Sequence, residues 1–82
     1  MYKVRWKRTA LDLLTELWLQ ATNRSQINAA VDEIDRLLAS DPYQCSESRS
    51  GSVRVLFCKP LGAFVEVDES SHTVNVLRVW TF

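Results

Sequence analysis

The last third of the chain is divided into short runs of apolar residues with polar residues between them. Runs rich in Val, Leu and Phe cover residues 53–58, 63–67 and 73–80, and Gly, Pro, Asp or Ser bounds each one. β-branched and aromatic residues are enriched in strands, and the bounding residues are those that form turns. The region from Glu47 to Phe82 therefore predicts three consecutive strands, with residues 43–52 as a polar loop at its start.

Period-two alternation also predicts which side chains share a face of each strand. In the first run Val53, Val55 and Phe57 fall together, opposite Arg54 and Leu56. In the last run the alternation assigns four side chains to one face: Val74, Val76, Arg78 and Trp80.

The first residues alternate in the same way. Tyr2, Val4 and Trp6 are separated by cations, which are Lys3, Arg5 and Lys7. The pattern predicts a half-buried strand with a basic outer face. Such a row of cations either protects a sheet edge from aggregation or contacts phosphates.

Between these strands the apolar positions recur with helical spacing. Thr9 and Asp12 have the form of a capping box, which predicts a first helix beginning at Thr9. Ser25 is a plausible cap for a second helix that runs to about Ala39, and Asp41-Pro42 ends it, because the residue before proline is pushed out of helical geometry. A loop this short makes the two helices antiparallel neighbours.

These elements predict an α+β fold in the order β-α-α-β-β-β. The antiparallel helix hairpin packs on a mostly antiparallel four-stranded sheet. The 82 residues form a single domain, 1–82, and the 46% apolar content is enough for one small core.

The charge balance of the chain limits the kinds of partner that it is expected to bind. Lys plus Arg and Asp plus Glu balance at ten each, which argues against general affinity for nucleic acid or anionic membranes. Residues 9–42 carry two arginines against six acids, a net charge of −4.

No apolar run approaches the about 20 residues that span a bilayer, and the start lacks an apolar signal core. We expect a cytoplasmic protein.

The sequence contains no metal-ligand cluster and no phosphate-binding loop, so no metal and no cofactor are expected. Cys45 and Cys58 lack metal-ligand spacing; we expect reduced thiols, with one disulfide as the alternative. His72 is the single histidine and falls in a predicted turn. A general base needs a positioned partner, so a solvent-exposed turn residue is the favoured interpretation of His72.

The arginines are the stronger candidates for chemistry. Arg49, Arg54 and Arg78, if they converge at one sheet edge, can bind phosphates or stabilise charge on a phosphodiester. The alternative is ion pairing across strands, with Glu47, Glu66 or Glu69 as partners.

The apolar content also exceeds what so small a core needs. Trp18, Leu19 and Trp80 are the surplus residues, and exposed apolar patches mark partner sites. We expect these three to contact a partner protein.

Several phrases of the chain, in this order of elements, resemble the RelE/ParE family of bacterial toxins. The phrases are Glu47-Ser-Arg49, Arg54-Val-Leu-Phe57, Pro60-Leu61-Gly62, Phe64-Val-Glu-Val-Asp68 and Val74-x-Val-Leu-x-Val79. These proteins are the toxic halves of type II toxin–antitoxin, or plasmid stabilisation, modules. The resemblance implies the fold described above and a cognate antitoxin that wraps a segment over the toxin, for which Trp18, Leu19 and Trp80 are the candidate contacts.

Two activities are implied by the family. RelE-like members cleave messenger RNA on the ribosome, whereas ParE-like members poison DNA gyrase. The RNA-cleaving members usually have an arginine where this chain has Gly62-Ala63-Phe64, and a basic, aromatic extension after the position of Trp80. The resemblance therefore favours binding of a target such as DNA gyrase. The alternatives are an endoribonuclease that uses Arg49, Arg54 and Arg78, and a non-toxic interaction module.

Overall fold

The structure is a computed structural model that describes residues 1–82. Its two helices are α1 (Arg8–Gln20) and α2 (Arg24–Ser40). Its five strands are β1 (Lys3–Trp6), β2 (Glu47–Ser50), β3 (Val53–Cys58), β4 (Leu61–Asp68) and β5 (Thr73–Thr81). They form one sheet in the order β1-β5-β4-β3-β2, in which β1 runs parallel to β5 and every other pair is antiparallel.

The α+β class and the helix hairpin on a mostly antiparallel sheet are confirmed, but the sheet has five strands where the sequence predicted four. The additional strand is β2, which lies in the segment predicted as a loop. All four of its residues are exposed, so none contributes an apolar position to the pattern. Backbone pairing with β3 alone makes it a strand, and a bulge between Ser48 and Ser50 interrupts that pairing.

Both helix starts differ from the predicted caps. α1 begins at Arg8, and Lys7 caps it without a side-chain hydrogen bond, while Asp12 lies 3.6 Å from the Arg8 guanidinium. The predicted capping box is therefore wrong. In α2 the cap is Asn23, whose Oδ1 accepts the Gln26 amide at 3.2 Å, and Ser25 donates to that same oxygen. α2 ends at Ser40, in front of Asp41-Pro42 as predicted.

The core lies between the helices and one face of the sheet. α1 contributes one fully buried residue, Ala10, while α2 contributes Ile27, Ala30, Ile34 and Leu38. The sheet supplies the remaining buried members of this cluster: Leu56, Leu61, Ala63, Val65, Val74, Val76 and Val79. Since every helical contact falls on this face, the opposite face of the sheet is left open.

A β-bulge in β5 decides which residues reach the open face. Phe64 lies opposite Arg78 whereas Val65 lies opposite Val76, so Leu77 is the extra residue. An extra residue reverses the alternation beyond it. The prediction that Val74, Val76, Arg78 and Trp80 share a face is therefore wrong. Val74 and Val76 face the core, and the bulge turns Arg78 and Trp80 to the open face.

Candidate binding face of the sheet

The open face carries a cluster of aromatic side chains at one end of the sheet. We call it the aromatic patch; its members are Phe57 on β3, Phe64 on β4, Trp80 on β5, and Phe82. Phe57 is 58% exposed and Phe82 is 54% exposed. Large apolar side chains thus lie uncovered beside one another.

The rings of the patch pack against each other mostly edge to face. The ring centroids of Phe57 and Phe82 are 5.4 Å apart at 76°, and those of Phe57 and Trp80 are 6.2 Å apart at 82°. Phe64 and Trp80 are tilted by 54° at 4.8 Å. Pairs at these distances contribute about 0.5–1.5 kcal/mol beyond their buried area. The rings are therefore held in place before any partner arrives.

Gly62 provides the surface on which the Trp80 indole lies. The two residues are opposite one another in the ladder between β4 and β5. A Cβ added to Gly62 would lie 2.5 Å from Cε2 of the indole and 2.7 Å from its Nε1. Only glycine permits this approach. The position at which the family resemblance leads one to expect an arginine is thus occupied by the base of the aromatic patch.

Cations and acids both lie on the open face, and a cation borders the patch. Arg78 lies directly opposite Phe64, is exposed, and makes no hydrogen bond or ion pair. Farther along the same face, Arg5 lies opposite Asn75. Of the acids on this face, Glu66 accepts a hydrogen bond from Ser52 at 2.6 Å, and Glu47 lies at the β2 edge opposite Val55. The aromatic patch therefore has an unpaired guanidinium at its border.

The structure does not bring the three predicted arginines together. Arg54 lies opposite Val65, so it extends from the core-facing side of β3, whereas Arg78 extends from the open side. The Arg54 guanidinium donates from Nε to Ser46 Oγ at 2.7 Å and from Nη2 to the Ser46 carbonyl at 2.8 Å. It also lies 5.1 Å from the Tyr43 ring centroid. Arg54 thus fixes the loop before β2, and Arg49 is exposed in the β2 bulge.

Trp18, Leu19 and Trp80 do not form one surface either. Trp18 belongs to the helix layer, where its Nε1 donates to Asn28 at 3.1 Å and the Arg24 guanidinium lies 4.4 Å from its ring centroid. Leu19 beside it is 58% exposed. Trp80 lies on the opposite side of the sheet. The Trp18 indole borders a groove of about 460 Å³ between the helices, lined by Leu14, Thr15, Trp18, Ile27, Asn28, Val31 and Asp32.

A polar cluster occupies the other end of the sheet, at the turn between β4 and β5. We call Tyr2, Tyr43, Glu69 and His72 the tyrosine–glutamate cluster. The Tyr2 hydroxyl donates to the Glu69 carboxylate at 2.9 and 3.1 Å, and the Tyr43 hydroxyl donates to the same carboxylate. His72 stacks on Tyr2 with ring centroids 3.8 Å apart, and its Nδ1 lies 4.0 Å from Glu69.

These hydrogen bonds change the acidity of their members. Donation from Tyr43 and Tyr2 lowers the pKa of Glu69. Acceptance by the Glu69 carboxylate raises the pKa of Tyr2 to about 12 and also raises the pKa of Tyr43. A carboxylate that is stabilised in its charged form is a poor proton acceptor. The cluster therefore ties the N-terminal strand and two loops together, and its geometry is that of a structural contact.

Sequence reasoning missed this cluster. Tyr2 and Glu69 are 67 residues apart, and no local period signals a contact over that distance. His72 lies in the turn as predicted, with a φ of 55°. Its contacts with Tyr2 and Glu69 were not predicted.

The remaining titratable groups offer no further site. Cys45 and Cys58 are free thiols, and burial raises the pKa of each. No group of three or more His, Cys, Asp or Glu side chains is placed to hold a metal ion. Neither helix is long and apolar enough to cross a membrane.

The chain matches known proteins in structure but not in sequence. No family model and no curated protein matches the sequence. Solved structures match over its whole length. A chain of the RelBE2 toxin–antitoxin complex from Mycobacterium tuberculosis is 20% identical, with a TM-score of 0.84, over 99% of this chain and 91% of that one.

Two further complexes give the same result. A chain of the chromosomal ParDE system from P. aeruginosa is 20% identical with a TM-score of 0.72, over 99% of this chain and 96% of that one. A chain of the intact RelBE complex from E. coli is 16% identical with a TM-score of 0.68, over 100% of this chain and 98% of that one. The chain therefore has the fold of the RelE/ParE toxins, as the resemblance of its sequence implied.

Proposed function

We propose that the chain is the toxin component of a type II toxin–antitoxin module and that a cognate antitoxin neutralises it. The observation that carries this proposal is the match of 99% of the chain, at a TM-score of 0.84, to a chain of a toxin–antitoxin complex. The match also covers 91% of that chain. We place the activity in the cytoplasm, where the two candidate targets, DNA gyrase and the ribosome, are found.

We further propose that the toxin acts by binding its target, with DNA gyrase as the candidate, and not by cutting RNA. Metal-independent cleavage needs an acid, a base and cations around one phosphate. Arg54 is held by Ser46 and faces away from Arg78. His72 lies six residues before Arg78 along β5, which corresponds to about 20 Å of extended strand. These groups cannot surround one phosphate.

One observation favours the alternative, cleavage of messenger RNA on the ribosome. Arg78 is unpaired and borders aromatic rings on the open face, and nucleic acids bind where cations and aromatic rings meet. Of the three arginines predicted for that activity, only Arg78 is an unpaired guanidinium beside aromatic rings of the open face. Arg54 is bound to the 43–46 loop, and Arg49 lies in the edge bulge.

Controlled expression in bacteria tests the proposal. Induction of the chain alone should arrest growth. The proposal expects the cognate antitoxin to be encoded in the adjacent reading frame, so co-expression of the product of that frame should restore growth. A gyrase poison should induce the DNA-damage response while messages stay intact. Cuts within ribosome-bound codons would instead support the endoribonuclease. Normal growth at a verified level of folded protein would overturn both and leave the non-toxic interaction module.

A further inference from the structure

We infer that the aromatic patch and Arg78 bind an acidic segment of the antitoxin. In this arrangement an apolar side chain of the segment lies on Phe57 and Phe82, and a carboxylate of the segment pairs with the Arg78 guanidinium. The assignment of the segment to an antitoxin rests on the proposed function; the chemistry of the segment rests on the open face alone.

The first argument is exposed apolar area. Phe57 and Phe82 are each more than half exposed, at 58% and 54%, and their ring centroids are 5.4 Å apart. Contiguous apolar surface on a small protein marks a partner site. Trp80, which lies on Gly62, packs edge to face against the Phe57 ring. A patch held this way loses little side-chain freedom when a partner covers it.

The second argument is charge. Arg78 is exposed and has no hydrogen bond or ion pair within the chain, and neither does Arg5 on the same face. The acids of this face do not pair with Arg78: Glu66 accepts a hydrogen bond from Ser52, and Glu47 lies three strands away on β2, opposite Val55. A segment that covers Phe64 and Trp80 therefore meets the unpaired Arg78 guanidinium. A carboxylate on that segment complements it, since Arg binds carboxylates through paired hydrogen bonds.

Two other occupants fit the face less well. A second copy of the chain would bring the same surface against itself across a two-fold axis, so that the arginines of each copy approach one another. Single-stranded nucleic acid stacks its bases on exposed ring faces. In the patch, Phe57 packs nearly perpendicular to both of its aromatic neighbours, at 76° and 82°, so these rings do not present parallel faces to successive bases.

The helix layer supplies the matched controls. Leu19 is 58% exposed, the same fraction as Phe57, but lies in α1 on the other side of the molecule. The sequence made Leu19 a candidate antitoxin contact, so Leu19→Ser distinguishes that earlier expectation from the present inference. Arg8, also in α1, is an exposed arginine that pairs with Asp12 of the same helix at 3.6 Å. Phe57→Ser and Arg78→Glu remove the proposed contacts, and Leu19→Ser and Arg8→Glu change exposed residues of α1 that the present inference leaves out. Circular dichroism verifies the fold of all four variants.

The first experiment selects binders to the purified chain from a phage-displayed library of random twelve-residue peptides. The enriched peptides should combine Asp or Glu with Leu, Phe or Trp. Phe57→Ser and Arg78→Glu should each weaken the binding of the corresponding synthetic peptides about tenfold, as loss of a central contact does. Leu19→Ser and Arg8→Glu should leave it unchanged. No enrichment, a basic consensus, or binding that survives the first two changes would overturn the inference.

The second experiment identifies the source of the segment. The purified product of the adjacent reading frame should displace the selected peptides, and Phe57→Ser and Arg78→Glu should weaken its binding. If it binds the chain without displacing them, the inference is wrong and the proposed function stands. If it does not bind at all, the antitoxin assignment fails and the peptide result is unaffected. Preferential binding of oligouridine RNA to the patch, or a dimer that Phe57→Ser dissociates, would also overturn the inference.

Discussion

At the turn between β4 and β5, the hydroxyls of Tyr2 and Tyr43 donate to the Glu69 carboxylate, and His72 stacks on Tyr2. At the opposite end of the same sheet, Phe57 and Arg78 are both exposed, and the Arg78 guanidinium has no hydrogen bond or ion pair within the chain. One end uses its polar and aromatic groups to hold the chain together. The other end leaves an aromatic patch and a guanidinium uncovered. This difference is the reason that we propose the second end as the binding site.

Two arginines, on the strands that flank β4, give this comparison its sharpest form. Arg54→Ala removes the hydrogen bonds to Ser46 and leaves the Ser46 carbonyl without this partner. Hydrogen bonds to charged groups contribute about 1.5–3 kcal/mol, so the free energy of unfolding should fall by that amount. Arg78→Ala should change it by less than about 0.5 kcal/mol, as exposed surface substitutions do. Urea unfolding followed by circular dichroism measures both.

Arg54→Lys serves as the control for charge, because lysine keeps the cation but lacks the planar fork of donors. It should recover only part of the lost stability. Equal effects of Arg54→Ala and Arg78→Ala would contradict the distinction between an internally bound arginine and a free one.

Gly62 tests how the aromatic patch is built. Gly62→Ala places a Cβ against the Trp80 indole, which must move away from the sheet. Overpacking of this kind costs about 1–3 kcal/mol, and tryptophan fluorescence should report a more exposed indole. Thermal unfolding of the wild type and of the variant gives the loss of stability.

A double-mutant cycle separates this contact from a general effect of the backbone. In a Trp80→Leu background the same Gly62→Ala change should cost less, because the smaller side chain can yield. An identical cost in both backgrounds would show that the indole does not determine the residue at position 62.

The tyrosine–glutamate cluster should stabilise the fold over a limited range of pH, with an effect smaller than the two above. The pKa of Glu69 is below its ordinary value of 4.5 in the folded chain. Its contribution is therefore present above pH 4.5 and is lost as pH falls through the lowered pKa. The pKa of Tyr2 is raised from 10.0 to about 12, so its contribution is full below pH 10 and is lost as pH rises towards 12.

Melting temperatures of the wild type and Glu69→Gln across this range check the prediction. The wild type should be the more stable protein at neutral pH, and its advantage should shrink at both extremes. A constant difference between the two proteins at every pH would exclude the cluster as the cause.

The sequence predicted well what depends on local period. The two helices, the end of α2 before Asp41-Pro42, and four of the five strands follow from apolar spacing and turn residues. β2 was missed because its exposed polar residues pair only through the backbone. The face of Trp80 was assigned wrongly because the bulge at Leu77 reverses an alternation that otherwise looks regular.

The candidate site was harder to predict than the fold. Arg54 and Arg78 look alike in sequence, and only the register shows that they extend from opposite faces. In the sequence, the segment Gly62-Ala63-Phe64 was notable only because it lacks the arginine that the family resemblance leads one to expect. The structure shows that Gly62 accommodates the Trp80 indole. Both outcomes depend on contacts between strands, which no single segment encodes.

The most direct test of the account is calorimetric titration of the product of the adjacent reading frame into Phe57→Ser and Leu19→Ser. The two positions are equally exposed, at 58%, but lie on opposite sides of the molecule. Loss of a central apolar contact weakens binding about tenfold, so we predict this result for Phe57→Ser and wild-type affinity for Leu19→Ser. Unchanged affinity for Phe57→Ser together with weakened binding of Leu19→Ser would place the partner on the helices and contradict the account.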